Sequence, residues 1–148
     1  MKLYKKIAWI LLVSLIVIQF FRIDKTNPEY DINNDFITIH QPPEDVMVML
    51  KDACYDCHSN ESKYPWYTNI APVSFWIKGH IKKGRKKLNF SDWGTFSDEK
   101  KVHKIDETIE YVGEGWMPIG SYKIAHSSAR LTDEQRKRLV AYFTSIQD

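Results

Sequence analysis

Apolar residues form two patterns along this chain. From Ile7 to Phe21 they make an almost unbroken run, interrupted only by Ser14 and Gln19. From Pro43 onward they recur every three or four positions, the period of a helix with one buried face. The run predicts a hydrophobic helix of roughly 22 Å. Counted from Leu3, with Lys5 and Lys6 snorkelling outward, it reaches a marginal membrane span. Lys2, Lys5 and Lys6 precede it, so the chain beyond the run is expected on the extracytoplasmic side. A cleaved signal peptide has the same order of charge and apolar run. Bulky Gln19, Phe20, Phe21 and Arg22 stand where cleavage needs small residues, which favours an uncleaved anchor. No cysteine comes directly after the run, which excludes lipoprotein processing.

Residues 22–42 are polar and mixed, with Asn27-Pro28, Asn33-Asn34 and Pro42-Pro43, and read as a flexible tether. Within them Phe36 to Ile39 reads as a short extended stretch. Four helices are expected beyond it. The first runs from Pro43 to Cys54 with Val46, Met49, Leu50 and Ala53 on one face. The second starts at Pro72 and buries Val73, Trp76, Ile77 and Ile81. The third starts after Ser97, with Asp98 and Glu99 in its first turn, and ends at Gly113. The last opens at Thr132, with Gln135 in capping-box register, and carries Leu139, Val140, Phe143 and Ile146. The fold class is therefore all-α, with a membrane anchor over residues 1–21, a tether over 22–42 and one domain over 43–148. Two long connections, 59–71 and 114–131, call for a reason in so small a domain, and a cofactor supplies one.

Charge refines this division. The formal net charge is +2, and residues 1–21 hold three lysines and no acid. The remainder is almost balanced, which argues against a nucleic-acid partner. The densest basic run is Lys78, Lys82, Lys83, Arg85, Lys86 and Lys87. It reads either as a solvated helix end or as a surface that steers an acidic redox partner. In the second reading Arg85 pairs with an acidic group of the bound cofactor.

The chemistry is concentrated in Cys54-Tyr55-Asp56-Cys57-His58, a C-x-x-C-H run. Cysteines three apart share a helical face, so both thiols can add to the two vinyl groups on one edge of a porphyrin. The next residue, a histidine, then serves as proximal iron ligand, the signature of covalently attached c-type haem. These are the only two cysteines in the chain. A disulfide between them would close too short a loop to stabilise much. Zinc would need two further ligands from His40, His80, His103 and His126, with no second close pair to provide them. For the sixth iron position Met117, in Trp116-Met117-Pro118, is the candidate, on a loop between two helices. His80 and His126 are the bis-His alternatives, while His40 and His103 read as surface residues. Tyr64, Trp66, Tyr67, Phe75, Trp76, Phe90, Trp93 and Trp116 are candidate walls of the haem pocket. A proline carbonyl, Pro72 ahead of Pro65, is the expected acceptor for the second ring nitrogen of His58.

The motif continues through Ser59-Asn60-Glu61, Tyr64-Pro65-Trp66-Tyr67 and Ile70-Ala71-Pro72-Val73-Ser74 to Gly84-Arg85, Asn89-Phe90-Ser91 and Trp93. This succession resembles the bacterial haem-binding domain family, over about residues 42–146. Members are small exported domains with one covalent haem, often behind a single membrane segment. The ending, Trp116-Met117-Pro118 and then Leu131-Thr132-Asp133-Glu134-Gln135 with a closing helix, also looks like class I cytochromes c. The resemblance implies thioether bonds at Cys54 and Cys57, His58 as proximal ligand and Met117 as distal ligand. The expected function is single-electron transfer with redox partner proteins. The alternative is a haem-based sensor or small-molecule binder with an open sixth position. No Ser/His/Asp pattern, phosphate-cradling glycine loop or metalloprotease helix is present, so a carrier is favoured over a catalyst.

Overall fold

A computed structural model describes residues 2–147. The outermost residues of the expected anchor and domain, Met1 and Asp148, lie outside them. The described residues form eight α-helices, joined by 3-10 turns and loops without a strand. They are α1 (Leu3–Ile18), α2 (Phe36–His40), α3 (Glu44–Ala53), α4 (Tyr55–His58), α5 (Val73–Lys87), α6 (Asp98–Gly113), α7 (Gly120–Ala125) and α8 (Asp133–Ser145).

The expectation of a transmembrane helix is corrected. Helix α1 ends at Ile18, and none of the described helices is long and apolar enough to cross a membrane. Its 16 residues span about 24 Å, below the ~30 Å of a hydrocarbon core. The stop has a tertiary cause. The Gln19 side chain turns to the body, donating to the Ala71 carbonyl at 2.9 Å and accepting from the Ala71 N–H at 3.0 Å. Phe20 and Phe21 then leave the helix in a turn.

The tether reading is corrected as well. Residues 22–30 form a strap bonded along the body. Arg22 donates to the Asn69 carbonyl at 2.6 Å and Asn27 to the Ser62 carbonyl at 2.9 Å, while Lys78 reaches the Asp24 carbonyl at 2.5 Å. The stretch expected to be extended is α2, started by Asp35, whose carboxylate accepts from the Ile37 N–H at 2.9 Å. Phe36 is fully buried in the core, with Phe90 and Trp93 at ring-centroid distances of 5.1 and 5.0 Å. The domain therefore begins well before residue 43.

The four expected helices are present as α3, α5, α6 and α8. Ser97 accepts from the Lys100 N–H to start α6, and Thr132 and Gln135 form a reciprocal capping box for α8. Helices α6 and α8 pack together, α3 packs on α8, and α4 packs on α5. Val46, Met49, Leu50, Ile105, Val112, Leu139 and Phe143 meet in one core. Helix α5 differs from its expected packing. Of the four residues expected to be buried, Val73 and Trp76 are exposed, Ile77 is half-buried and Ile81 alone is buried, because this face looks into a cavity instead of the core.

Candidate cofactor site

Helix α4 is a single turn that carries the C-x-x-C-H motif. Its position is fixed from below. Tyr55 stacks on Phe90 at 5.3 Å and donates to Asp35 at 2.9 Å. The Ser59 hydroxyl donates to the Tyr55 carbonyl at 2.7 Å, which holds the end of the turn. Asn60 donates its N–H to the Ser91 hydroxyl at 2.9 Å and accepts from Asn89 at 3.0 Å, tying the motif to the turn after α5. On the α5 side Gly84 makes the approach possible. A Cβ there would lie 2.4 Å from the Cys57 carbonyl oxygen.

A cavity of about 340 Å³ opens beside this turn. Cys54, Cys57, His58 and Met117 all line it, so the motif and the distant methionine meet in one space. Both thiols are half-buried and unpaired. Burial pushes the Cys54 thiol up to about 12, and burial with the adjacent Asp56 pushes Cys57 up to about 11. These are neutral thiols at physiological pH, unlike the depressed thiols of disulfide-exchange sites. Among the described residues no cluster of three or more His, Cys, Asp or Glu side chains is placed to hold a metal ion, which removes the support for a scattered zinc site.

His58 is oriented by the backbone. Its Nδ1 lies 3.0 Å from the Leu88 carbonyl oxygen. A carbonyl only accepts, so Nδ1 carries the proton and Nε2 keeps its lone pair. Burial holds the imidazole below the ordinary histidine range. The proline expectation is thus replaced by Leu88, for a plain reason. The Pro72 carbonyl accepts the Phe75 and Trp76 N–H groups at 3.1 and 3.3 Å. The Pro65 carbonyl accepts the Thr68 N–H at 2.9 Å and the Thr68 hydroxyl at 2.5 Å.

Met117 is half-buried against the core. Its loop is held at three points. Gly115, at φ +76°, turns the chain after α6. The Met117 N–H donates to the Tyr111 carbonyl at 3.0 Å. Arg136 of α8 donates to the Val112 carbonyl at 2.8 Å and the Met117 carbonyl at 3.3 Å. Of the alternative axial histidines, His80 lines the same cavity. His126 lines a neighbouring one, with Nε2 hydrogen-bonded to the Tyr67 hydroxyl. His40 is not the expected free surface residue, since its Nε2 accepts from the Trp93 indole at 2.8 Å.

Arg85 does not line the cavity. Its guanidinium donates to the Ser59 carbonyl at 2.7 Å, to Asn27 at 2.8 Å and to the Ser62 hydroxyl at 2.9 Å, binding the strap to the loop after α4. The cations on the cavity are Lys83, Lys87 and Lys104. Lys104 bonds Glu107 at 2.5 Å and holds that carboxyl below the usual range. The aromatic walls are Phe90, Tyr111 and Tyr122. Of the others expected there, Trp93 sits in the core, while Trp66 and Trp116 are exposed.

A second cavity of about 260 Å³ adjoins the first and shares Cys57, His80, Ile119 and Tyr122 with it. Tyr122 carries no mark in the sequence. Its hydroxyl donates to Asp56 Oδ2 at 2.7 Å and lies 3.1 Å from the Asp52 carbonyl. Burial and the Asp56 carboxylate raise this hydroxyl well above the ordinary phenol range. Sequence reasoning misses Lys104, Thr108 and Tyr111 too, although their spacing of i, i+4, i+7 marks one face of α6. Leu88 acts through its backbone and offers no side-chain signal.

The chemistry of this donor set fits a haem. Two neutral thiols lie on one turn, an imidazole presents Nε2, and a thioether shares an apolar cavity within the ligand-site range of ~300–1,000 Å³. A family model described as a haem-binding domain matches residues 13–145. No curated protein and no solved structure matches the chain.

Proposed function

Because the chain belongs to the haem-binding domain family, we propose that it holds one covalently attached c-type haem and carries single electrons on the extracytoplasmic side. Cys54 and Cys57 form the thioether bonds, His58 is the proximal ligand and Met117 the distal one. When bound, haem supplies a one-electron couple between ferric and ferrous iron. The residues of the chain supply the rest. The Leu88 carbonyl fixes the His58 tautomer, and such outer partners tune a metal ligand. Phe90, Tyr111 and Val112 keep water from the pocket. Lys83 and Lys87, in place of Arg85, are the cations that pair with the propionates. Lys82, Lys83, Lys86 and Lys87 lie together on α5 and steer an acidic redox protein to that mouth.

The observation that carries this reading is that His58 and Met117, 59 positions apart in sequence, line one cavity with both thiols. Protein made with c-type maturation machinery should keep its haem through denaturing electrophoresis and show a six-coordinate spectrum with a weak band near the red end in the ferric state. Met117→Ala should lose that band. Haem released on denaturation would overturn covalent attachment, and a five-coordinate spectrum would favour the sensor reading. That second reading has one support in the structure, the adjoining cavity, which leaves room for a small ligand beside the first.

A further inference from the structure

Helix α7 begins three residues beyond Met117 and has no buried residue, and Ile124 within it is 80% exposed. A segment so thinly packed is drawn from the least stable part of a fold. One side chain ties it back to the motif. Tyr122 reaches Asp56, which stands between Cys54 and Cys57 and is itself buried. The other oxygen of Asp56 accepts the Lys63 N–H at 3.0 Å, so the carboxylate is held from both sides. The Asp52 carbonyl, on the other side of Cys54, lies 3.1 Å from the same hydroxyl. The Tyr122 ring is backed by His126, stacked at 4.1 Å with 16° between the planes, and His126 is bonded to Tyr67. The segment after Met117 is thereby fastened to the turn that carries the thiols.

We propose that Tyr122 is a positioning residue, a latch whose hydrogen bond to Asp56 holds the Met117 loop over the cavity and sets how readily the sixth iron position is vacated. This rests on Met117 as distal ligand. A hydrogen bond to a charged acceptor is among the stronger ones in a protein, so its loss raises the open fraction of the loop by about tenfold or more. Arg136 and the Tyr111 carbonyl hold only the backbone of Met117, so opening of residues 119–125 leaves the start of the loop in place while it frees the methionine side chain to swing off the cavity.

The test compares Tyr122→Phe, which keeps the ring stacked on His126, with Asp56→Asn, which keeps an acceptor oxygen. Imidazole binding to the ferric haem-loaded protein is monitored by absorbance. Tyr122→Phe should accelerate it about tenfold, and Asp56→Asn by no more than about threefold. In the full-length chain before haem loading, amide exchange at residues 119–125 should quicken in Tyr122→Phe, with α6 and α8 unchanged. Unchanged imidazole kinetics together with unchanged exchange would overturn the latch, as would exchange that rises uniformly across α6 and α8. Should Tyr122→Phe fail to fold, Asp56→Ala carries the same expectations. Local exchange that quickens, while imidazole binds wild type and Met117→Ala equally fast, would keep Tyr122 as the tie between residues 119–125 and the motif but overturn Met117 as ligand, and with it the control of the sixth position.

Discussion

The Nδ1 of His58 donates to the backbone carbonyl of Leu88 across 3.0 Å, joining the motif on α4 to the residue just past the end of α5. An imidazole held this way keeps the Nε2 lone pair free, which pre-organises it for the proposed role of proximal ligand. In the haem-free chain, imidazole nitrogen shifts should therefore report the Nδ1–H tautomer for His58 at neutral pH. The opposite tautomer would mean that the Leu88 contact does not orient the ring.

Two glycines of α5 make opposite predictions. At Gly84 a methyl group would meet the Cys57 carbonyl oxygen at 2.4 Å and its carbon at 3.0 Å, both backbone atoms that cannot swing aside. Gly84→Ala should destabilise the domain by about 1–3 kcal/mol, the range for overpacking. At Gly79 a Cβ meets nothing within 4 Å. Gly79→Ala removes only the helix penalty of glycine and should stabilise by about 0.5–1 kcal/mol. Thermal unfolding of the two variants should move in opposite directions. Equal shifts would show that α4 and α5 do not approach this closely.

The parts of this protein that are legible in the sequence are those whose cause is local. Ser97 and the Thr132–Gln135 pair cap their helices within one turn, so the starts of α6 and α8 can be read directly. The C-x-x-C-H run encodes its geometry in five residues. Other parts depend on partners far along the chain. Arg85 reads as a solvated cation or a propionate partner, yet its acceptors are the Ser59 carbonyl and Asn27, 58 positions away in sequence. Helix α1 reads as long enough to span because hydropathy does not show Gln19 turning to Ala71. Residues 22–42 read as a tether because polar composition does not reveal that Asp35 caps a turn and sends Phe36 into the core. Tyr122 gives no signal, since its partners, Asp52 and Asp56, lie 70 and 66 positions away.

His40 predicts a pH dependence. Its Nε2 accepts from Trp93, so it must be neutral for that bond to exist. Burial, and to a lesser degree Lys101, lower its affinity for protons in the folded state. The unfolded chain therefore binds more protons than the folded one just below the ordinary histidine value of about 6.5. Stability contributed by this group is present above that value and is lost as pH falls through the depressed folded value. Urea unfolding of the haem-free chain between pH 7 and pH 5 should show a fall that His40→Gln, which retains an acceptor, makes shallower. An identical slope in both proteins would remove His40 as a source of acid sensitivity.

Phe36 tests whether the domain starts before residue 43. Its ring is fully buried and meets Phe90, Trp93 and Phe143 at centroid distances of 5.1, 5.0 and 5.7 Å. Neighbouring Asp35 receives the hydroxyl of Tyr55 at 2.9 Å, so the start of this short helix supports the second residue of the C-x-x-C-H motif. Phe36→Ala leaves a cavity in the centre of the core and should cost about 3–5 kcal/mol, measured by denaturant unfolding. A residue in a flexible tether would cost almost nothing. Because Phe90 touches both Phe36 and Tyr55, the loss should also loosen α4, and amide exchange at residues 55–58 should rise in Phe36→Ala under native conditions. Full stability with unchanged exchange at that turn would return residues 22–42 to the role of a linker and remove them from the support of α4.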